Sequence, residues 1–187
     1  MERTTGKRHP WHDVHYGDDA PDEIVAVVEC PKGSTIKYEL DKETGFIKLD
    51  RVLYSAVHYP GDYGFVPKTL YEDGDPLDII ILSNFPVAPG VLVTVRPIGV
   101  VEMIDEGEKD YKIIAVHSKD PRFDRYNNIT DVGDSVLEEV RHFFETYKQL
   151  QGKDVEIRGI KGLIEAKKEI KRSIQMYADE FLNGQSE

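Results

Sequence analysis

Apolar residues change their spacing once along this chain, and that change limits the folds open to it. From residue 23 to about 118 they form β-branched runs or alternate with polar residues, the period of a strand. The segments are EIVAVVEC, TIKYEL, GFIKLDRVL, LDIIIL, GVLVTVRPIGVVEMID and YKIIAVHS. In TIKYEL, Ile36, Tyr38 and Leu40 face one way, and Lys37 and Glu39 the other. In the last third the period becomes helical. Val136, Val140, Phe143, Tyr147 and Leu150 form one stripe at spacings of three and four. Leu163, Ala166, Ile170, Ile174, Tyr177 and Phe181 form a second, which stops at Asn183-Gly184. Ser135 and Glu138 have the spacing of a capping box. Short strands with turns between them predict a small barrel or sandwich, and the two helices pack on it. The fold class is α+β, one domain over residues 1–187, and no internal repeat is visible. Residues 1–22 are polar and read as a loose or surface-wrapping arm.

A chain of 187 residues with 40% hydrophobic content can bury a real core. Against 24 Lys and Arg stand 35 Asp and Glu, a net charge of −11, which argues against non-specific nucleic-acid binding. The lone cysteine, Cys30, excludes an internal disulfide and a cysteine-based zinc site, and suits a reducing, cytoplasmic setting. The first residues lack the apolar core of a signal peptide, and no run approaches membrane-spanning length.

Within this acidic chain the densest run is DGDPLD, residues 73–78. Asp-Gly is a turn signal, so a solvated turn is one reading. The other is a cation that holds the carboxylates together. Asp78 favours the second, because it opens the apolar run PLDIIIL and a carboxylate entering a buried strand needs a partner. An EF-hand is excluded. With Asp73 as position 1, positions 5, 6 and 12 are Leu77, Asp78 and Asn84, none of which fits, and the flanks are not helical.

A second acidic group, Glu102, Asp105, Glu106, Glu108 and Asp110, joins two strands. Glu106 and Glu108 read as solvated loop residues, whereas Asp105 and Asp110 stand at the strand ends. If the two hairpins are neighbours, five aspartates converge, and an all-oxygen set suits a hard cation, most naturally Mg2+. Lys37 and Glu39 share a strand face, and Arg51 sits between Leu49 and Leu53, where an isolated cation is costly. Tyr59 and Tyr63 flank Pro-Gly-Asp, and Tyr147 precedes Lys148. Singly these read as ion pairs, core tyrosines and a solvated lysine. Together they supply cations and phenols beside carboxylates, a mixture suited to phosphate chemistry.

These residues resemble family I soluble inorganic pyrophosphatase. DGDPLD matches the family's Asp-x-Asp-Pro-apolar-Asp run. IKYELDKETG, LDRVLYSAVHYPGDYGFVPKTL, RPIGVVEMIDEGEKDYKIIAV and HFFETYKQL resemble its other blocks, in order, over about residues 24–150. The resemblance implies a five-stranded OB-like barrel with two flanking C-terminal helices. It implies Mg2+-dependent hydrolysis of pyrophosphate, taken up as its magnesium complex, with several ions per site, in a homo-oligomer that is a hexamer in the short form of the family. Asp73, Asp78, Asp105 and Asp110 would hold metal, with Glu29 and Glu39 lining the site. Asp75 would be the base toward the attacking water, and Tyr59 an assisting acid. Lys37, Arg51, Tyr63, Lys112, Tyr147 and Lys148 would hold phosphate oxygens. Asp62 departs from the family's usual Asn and adds a charge near the site.

Bound cations would explain how an acidic protein takes an anionic substrate, since they set the sign of the site. Two other functions compete. A barrel that binds nucleic acid needs a basic groove with stacking aromatics, which this balance of charge opposes. A hydrolase for nucleotides needs a base or sugar pocket, and the matched blocks supply none.

Overall fold

The computed structural model describes residues 8–183. Among them the chain forms nine strands and two α-helices: β1 (Ile24–Cys30), β2 (Ile36–Leu40), β3 (Ile47–Val52), β4 (Asp62–Phe65), β5 (Asp78–Leu82), β6 (Leu92–Asp105), β7 (Glu108–Lys109), β8 (Lys112–His117), α1 (Asp134–Thr146), β9 (Val155–Lys161) and α2 (Leu163–Tyr177). β1 pairs with β4, β4 with β5, β5 with β8, β8 with β6, and β6 returns to β1. Five strands therefore close into a barrel, as expected. β5 and β8 run parallel; the other four pairs are antiparallel. Closure removes the open edges that would otherwise invite foreign strands.

The apolar run of β5 lacks alternation because both of its faces are covered. Ile79 and Ile81 join Val95, Ile113, Ala115 and the α2 residues Ala166 and Ile170. Ile80 and Leu82 join Ile114, Val116 and the α1 residues Val140, Phe143 and Phe144. Each fully buried isoleucine contributes roughly 1.5–3 kcal/mol relative to exposure. The two helices thus clamp the barrel from two sides. Of the first predicted stripe, Val140, Phe143 and Tyr147 are buried, while Val136 and Leu150 at its ends are exposed.

Four features depart from the sequence reading. β2 and β3 form a separate two-stranded sheet outside the barrel, because their ladder is made with each other alone. β9, between the helices, pairs with the distal half of β6, whose 14 residues are long enough to serve β1 first and β9 afterwards. β4 is only four residues, DYGF, too short for a periodic signal. Its Gly64 is required by packing: a Cβ there would lie 1.9 Å from the Val27 carbonyl oxygen. The Ser135–Glu138 capping box does not form. Gly133 takes the N-cap position without a side-chain bond, and helix α1 starts at Asp134, which puts Ser135 in its first turn. At the far end α2 passes into a π-type turn, Ala178–Asn183; Gly184 of the expected stop, and residues 1–7 of the arm, lie outside the described residues.

Candidate active site

One end of the barrel opens into a cavity of about 160 Å³ whose walls come from six strands (β1, β2, β4, β5, β6 and β8), the aspartate turn and α1. The parallel β5–β8 pair sets its centre. Asp78 is the first residue of β5 and is directly opposite Lys112, the first residue of β8. The Lys112 ammonium donates to Asp78 Oδ2 and to Asp110 Oδ1. Tyr63, on the neighbouring β4, donates its hydroxyl to the same Asp78 Oδ2 at 2.5 Å. Asp105 ends β6, and its Oδ2 accepts from Lys148, two residues past the end of α1. Tyr147 caps that helix and is buried against Phe143.

The Asp73–Asp78 loop is a true turn as well as a carboxylate cluster. Gly74 has φ +79°, a conformation that favours glycine. The Tyr71 N–H donates to the Asp75 carbonyl at 2.8 Å, and the Asp75 N–H to Asp73 Oδ1 at 3.0 Å. The turn reading is met, and the same turn sets Asp73, Asp75 and Asp78 on the cavity wall.

From β1, Glu29 reaches the cavity and accepts the Leu40 N–H at 2.7 Å. Lys37 and Glu39 of β2 line the same wall, with Lys37 Nζ 3.6 Å from both Glu39 and Asp50. Tyr59 is buried between Tyr63 and Phe143, at ring separations of 5.4 and 4.7 Å.

Every residue given a site role by the resemblance lines the cavity except Arg51. Arg51 pairs in register with Lys37 across the β2–β3 hairpin, but its guanidinium turns to Asp50, and its Nε is buried without a hydrogen-bond partner. Asp62 is not at the cavity either. It is fully buried on β4, where it accepts from the N–H groups of Lys32 (2.8 Å) and Val87 (3.0 Å) and from Ser83 Oγ (3.0 Å). Those donors explain how a buried carboxylate is tolerated where an amide would also serve.

Lys42 was missed. It stands in the β2–β3 turn, where a lysine ordinarily reads as solvated, yet it lines the cavity and its ammonium lies against Asp75 Oδ1. No spacing in the sequence marks it. Only the fold of the hairpin over the aspartate turn brings it there.

The electrostatics show carboxylates crowded together and desolvated. Burial first, and then the charge on Asp78, push the Glu29 carboxyl up to about 8, against the opposing Leu40 N–H and Lys37. Desolvation raises Asp73 to about 6, helped by Asp110, Asp78 and Asp75 and opposed by the Asp75 N–H. Burial raises Asp78 too, although Lys112 and Tyr63 act against it. For Lys112 burial acts downward, but Asp110 and Asp78 outweigh it and hold the ammonium charged well above its ordinary range. Tyr59 is raised well above the ordinary phenol range by burial, then by Cys30. A phenol so tightly protonated serves as a hydrogen-bond donor.

The residues fit a hard divalent cation. The donors are carboxylate oxygens, several of them hard to ionise without added positive charge, and Asp105 Oδ1 is buried with no hydrogen-bond partner. Among the described residues no three carboxylates already surround one point, and lysine ammonium groups stand between them instead.

A closed five-stranded barrel with carboxylates and lysines interleaved at one end defines a class: proteins that handle a small polyanion together with cations. Comparison with known proteins is specific within that class. Residues 26–178 match the family described as inorganic pyrophosphatase. The chain is 49% identical over 174 residues to soluble inorganic pyrophosphatase 2 of Chlamydomonas reinhardtii, covering 93% of this chain and 91% of that one. It is 48% identical over 182 residues to the soluble inorganic pyrophosphatase of Zea mays, covering 97% and 85%. The crystal structure of inorganic pyrophosphatase from Thermus thermophilus superposes with a TM-score of 0.85 at 48% identity, covering 88% of this chain and 96% of that one. The chain belongs to the inorganic pyrophosphatase family.

Proposed function

We propose that this protein hydrolyses inorganic pyrophosphate to two orthophosphates, with Mg2+ as its cofactor and several ions per site. The observation that carries the reading is the Asp78–Lys112–Asp110 clasp, with Asp73, Asp75 and Asp105 on the same cavity wall. Asp73, Asp78, Asp105 and Asp110, with Glu29 behind them, would hold the ions. Bound Mg2+ would neutralise phosphate oxygens and make the attacking water more acidic.

The chain's own groups supply the rest. Lys37, Lys112 and Lys148, with the Tyr63 and Tyr147 hydroxyls, would orient the phosphate oxygens and stabilise charge as it develops on them. Asp75, partly open to the cavity, takes the proton of the attacking water. The water oxygen bonds to one phosphorus, the bridging P–O bond breaks, and the leaving phosphate keeps the electron pair. Tyr59 donates a hydrogen bond without leaving its protonated state. Arg51, one register step from the cavity wall, would reach a phosphate only by exchanging Asp50 for it.

The same reading takes residues 1–187 as one domain with residues 1–22 as an arm, located in the cytoplasm and assembled as a homo-oligomer, a hexamer. A single buried free thiol and the absence of any membrane-crossing helix among the described residues agree with that location.

The deciding experiment measures phosphate release from pyrophosphate and from ATP, with Mg2+ and with excess chelator. Release from pyrophosphate alone, abolished by chelation and restored by Mg2+, is expected. Equal release from ATP, or full turnover in chelator, would overturn the reading.

A further inference from the structure

If Asp75 is the base, its carboxylate must be held still. Its backbone is tied into the turn on both sides, but among the described residues its side chain has one ion-pair partner, Lys42. The Lys42 ammonium also donates to the Gly74 carbonyl at 3.3 Å. A turn lysine would ordinarily move freely. This one lies 5.8 Å from the ring centroid of Trp11, and its own carbonyl is 3.0 Å from His9 Nε2.

Trp11 is itself fixed. It is 4% exposed, its Nε1 donates to the Thr69 carbonyl at 2.7 Å, and its carbonyl accepts the Lys68 N–H at 2.8 Å. The Thr69 hydroxyl then accepts the Leu77 N–H at 2.9 Å. The arm therefore grips the lysine that touches Asp75 and, through Thr69, the far end of the same aspartate turn.

The geometry points to Lys42 as a positioning residue for the Asp75 carboxylate, with Trp11 and His9 of the N-terminal arm holding Lys42 in place. The inference rests on the reading of Asp75 as the base. Its physical content is that an aromatic face restricts a flexible cation, and the cation restricts a carboxylate whose placement limits the rate. The arm is then a working part of the site.

The test compares kcat and KM at saturating Mg2+ for the wild type, Lys42→Met, Lys42→Arg, Asp75→Asn and the Lys42→Met/Asp75→Asn pair. Lys42→Met should lower kcat by about 10- to 100-fold with KM nearly unchanged, and Lys42→Arg should recover most of it. On the Asp75→Asn background the same change should cost less than about twofold, because its target is gone. Trp11→Phe should lower kcat in the wild type and not in Lys42→Met. Trp11 is the sole tryptophan, so its emission in metal-free protein should change when Asp75→Ala releases the ammonium.

A wild-type kcat in Lys42→Met, a raised KM at unchanged kcat, or a full multiplicative loss on the Asp75→Asn background would overturn the inference and make Lys42 independent of Asp75. Equal loss from Trp11→Phe on both backgrounds would overturn the arm's part. A wild type that releases no phosphate from pyrophosphate would sink the functional reading instead. Unchanged Trp11 emission in Asp75→Ala would then still overturn the brace.

Discussion

Lys112 and Asp78 lie directly opposite each other across the parallel β5–β8 pair, and the lysine is clasped by Asp110 as well. With its side chain 2% exposed, Lys112 is a buried cation between two carboxylates. Removing one partner of a buried pair leaves charge uncompensated, which costs about 3–5 kcal/mol. Lys112→Met should therefore destabilise the metal-free protein by roughly that amount in urea unfolding. Mg2+ should restore part of the loss, because it can replace the missing positive charge. Destabilisation that Mg2+ leaves untouched would show that the carboxylates do not hold it.

Asp75 and Asp78 should differ in kind. Asp75→Asn removes a proton acceptor and should lower kcat by about 10²–10⁴-fold, with near-normal Mg2+ binding by calorimetry. Asp78→Asn removes a ligand, so its activity should recover in part as Mg2+ is raised. Rescue of Asp75→Asn to wild-type turnover by added Mg2+ would make Asp75 a ligand and take the base role from it.

Gly64→Ala should be among the most damaging single changes. The added methyl would lie 1.9 Å from the Val27 carbonyl oxygen, so β1 and β4 must part and the barrel must open there. Overpacking ordinarily costs about 1–3 kcal/mol, and a backbone clash belongs at or above the top of that range. A thermal midpoint within a degree or so of wild type would contradict the strand contact itself.

His12 sets a pH dependence away from the metal site. Its Nδ1 is 2.7 Å from the Tyr177 hydroxyl, and its ring packs near Trp11 and Phe181. Burial, then the charge of His9, lower it from its ordinary value of 6.5, with Asp13 opposing. A lowered folded-state pKa means that the unfolded chain binds the proton first. The contribution is therefore present above 6.5 and is lost as pH falls through the folded-state value. His12→Phe should flatten the fall in stability as pH drops below 6.5 in urea titrations. An unchanged slope would remove His12 from the account.

Much of this protein was legible locally. Apolar spacing placed the strands before the helices, and the isoleucine run of β5 announced a strand covered on both faces. The density of aspartate in residues 73–78 marked a carboxylate cluster, because an aspartate entering a buried strand needs a partner, and Asp78 has Lys112 and Tyr63. The resemblance of five ordered blocks added the barrel and the site residues, which spacing alone did not supply. What local pattern could not reveal was which chain segments meet. TIKYEL and GFIKLDRVL alternate like barrel strands but pair only with each other. VEIRGIK, which carries no strand signal in the sequence reading, extends the sheet beside β6.

The sequence by itself determined the alternation of faces, the switch from strand to helix period and the stock of charges, since each depends on residues a few positions apart. Tertiary structure alone decided that Asp78 and Asp110 share one lysine, that Asp62 lies buried among donors away from the cavity, and that a turn lysine lies against Asp75 with an N-terminal tryptophan beside that lysine. Those relationships depend on which backbone edges hydrogen-bond across tens of residues, as β5 does with β8. That choice is made by closing the barrel, where each strand satisfies two neighbours at once, and no local periodicity records it.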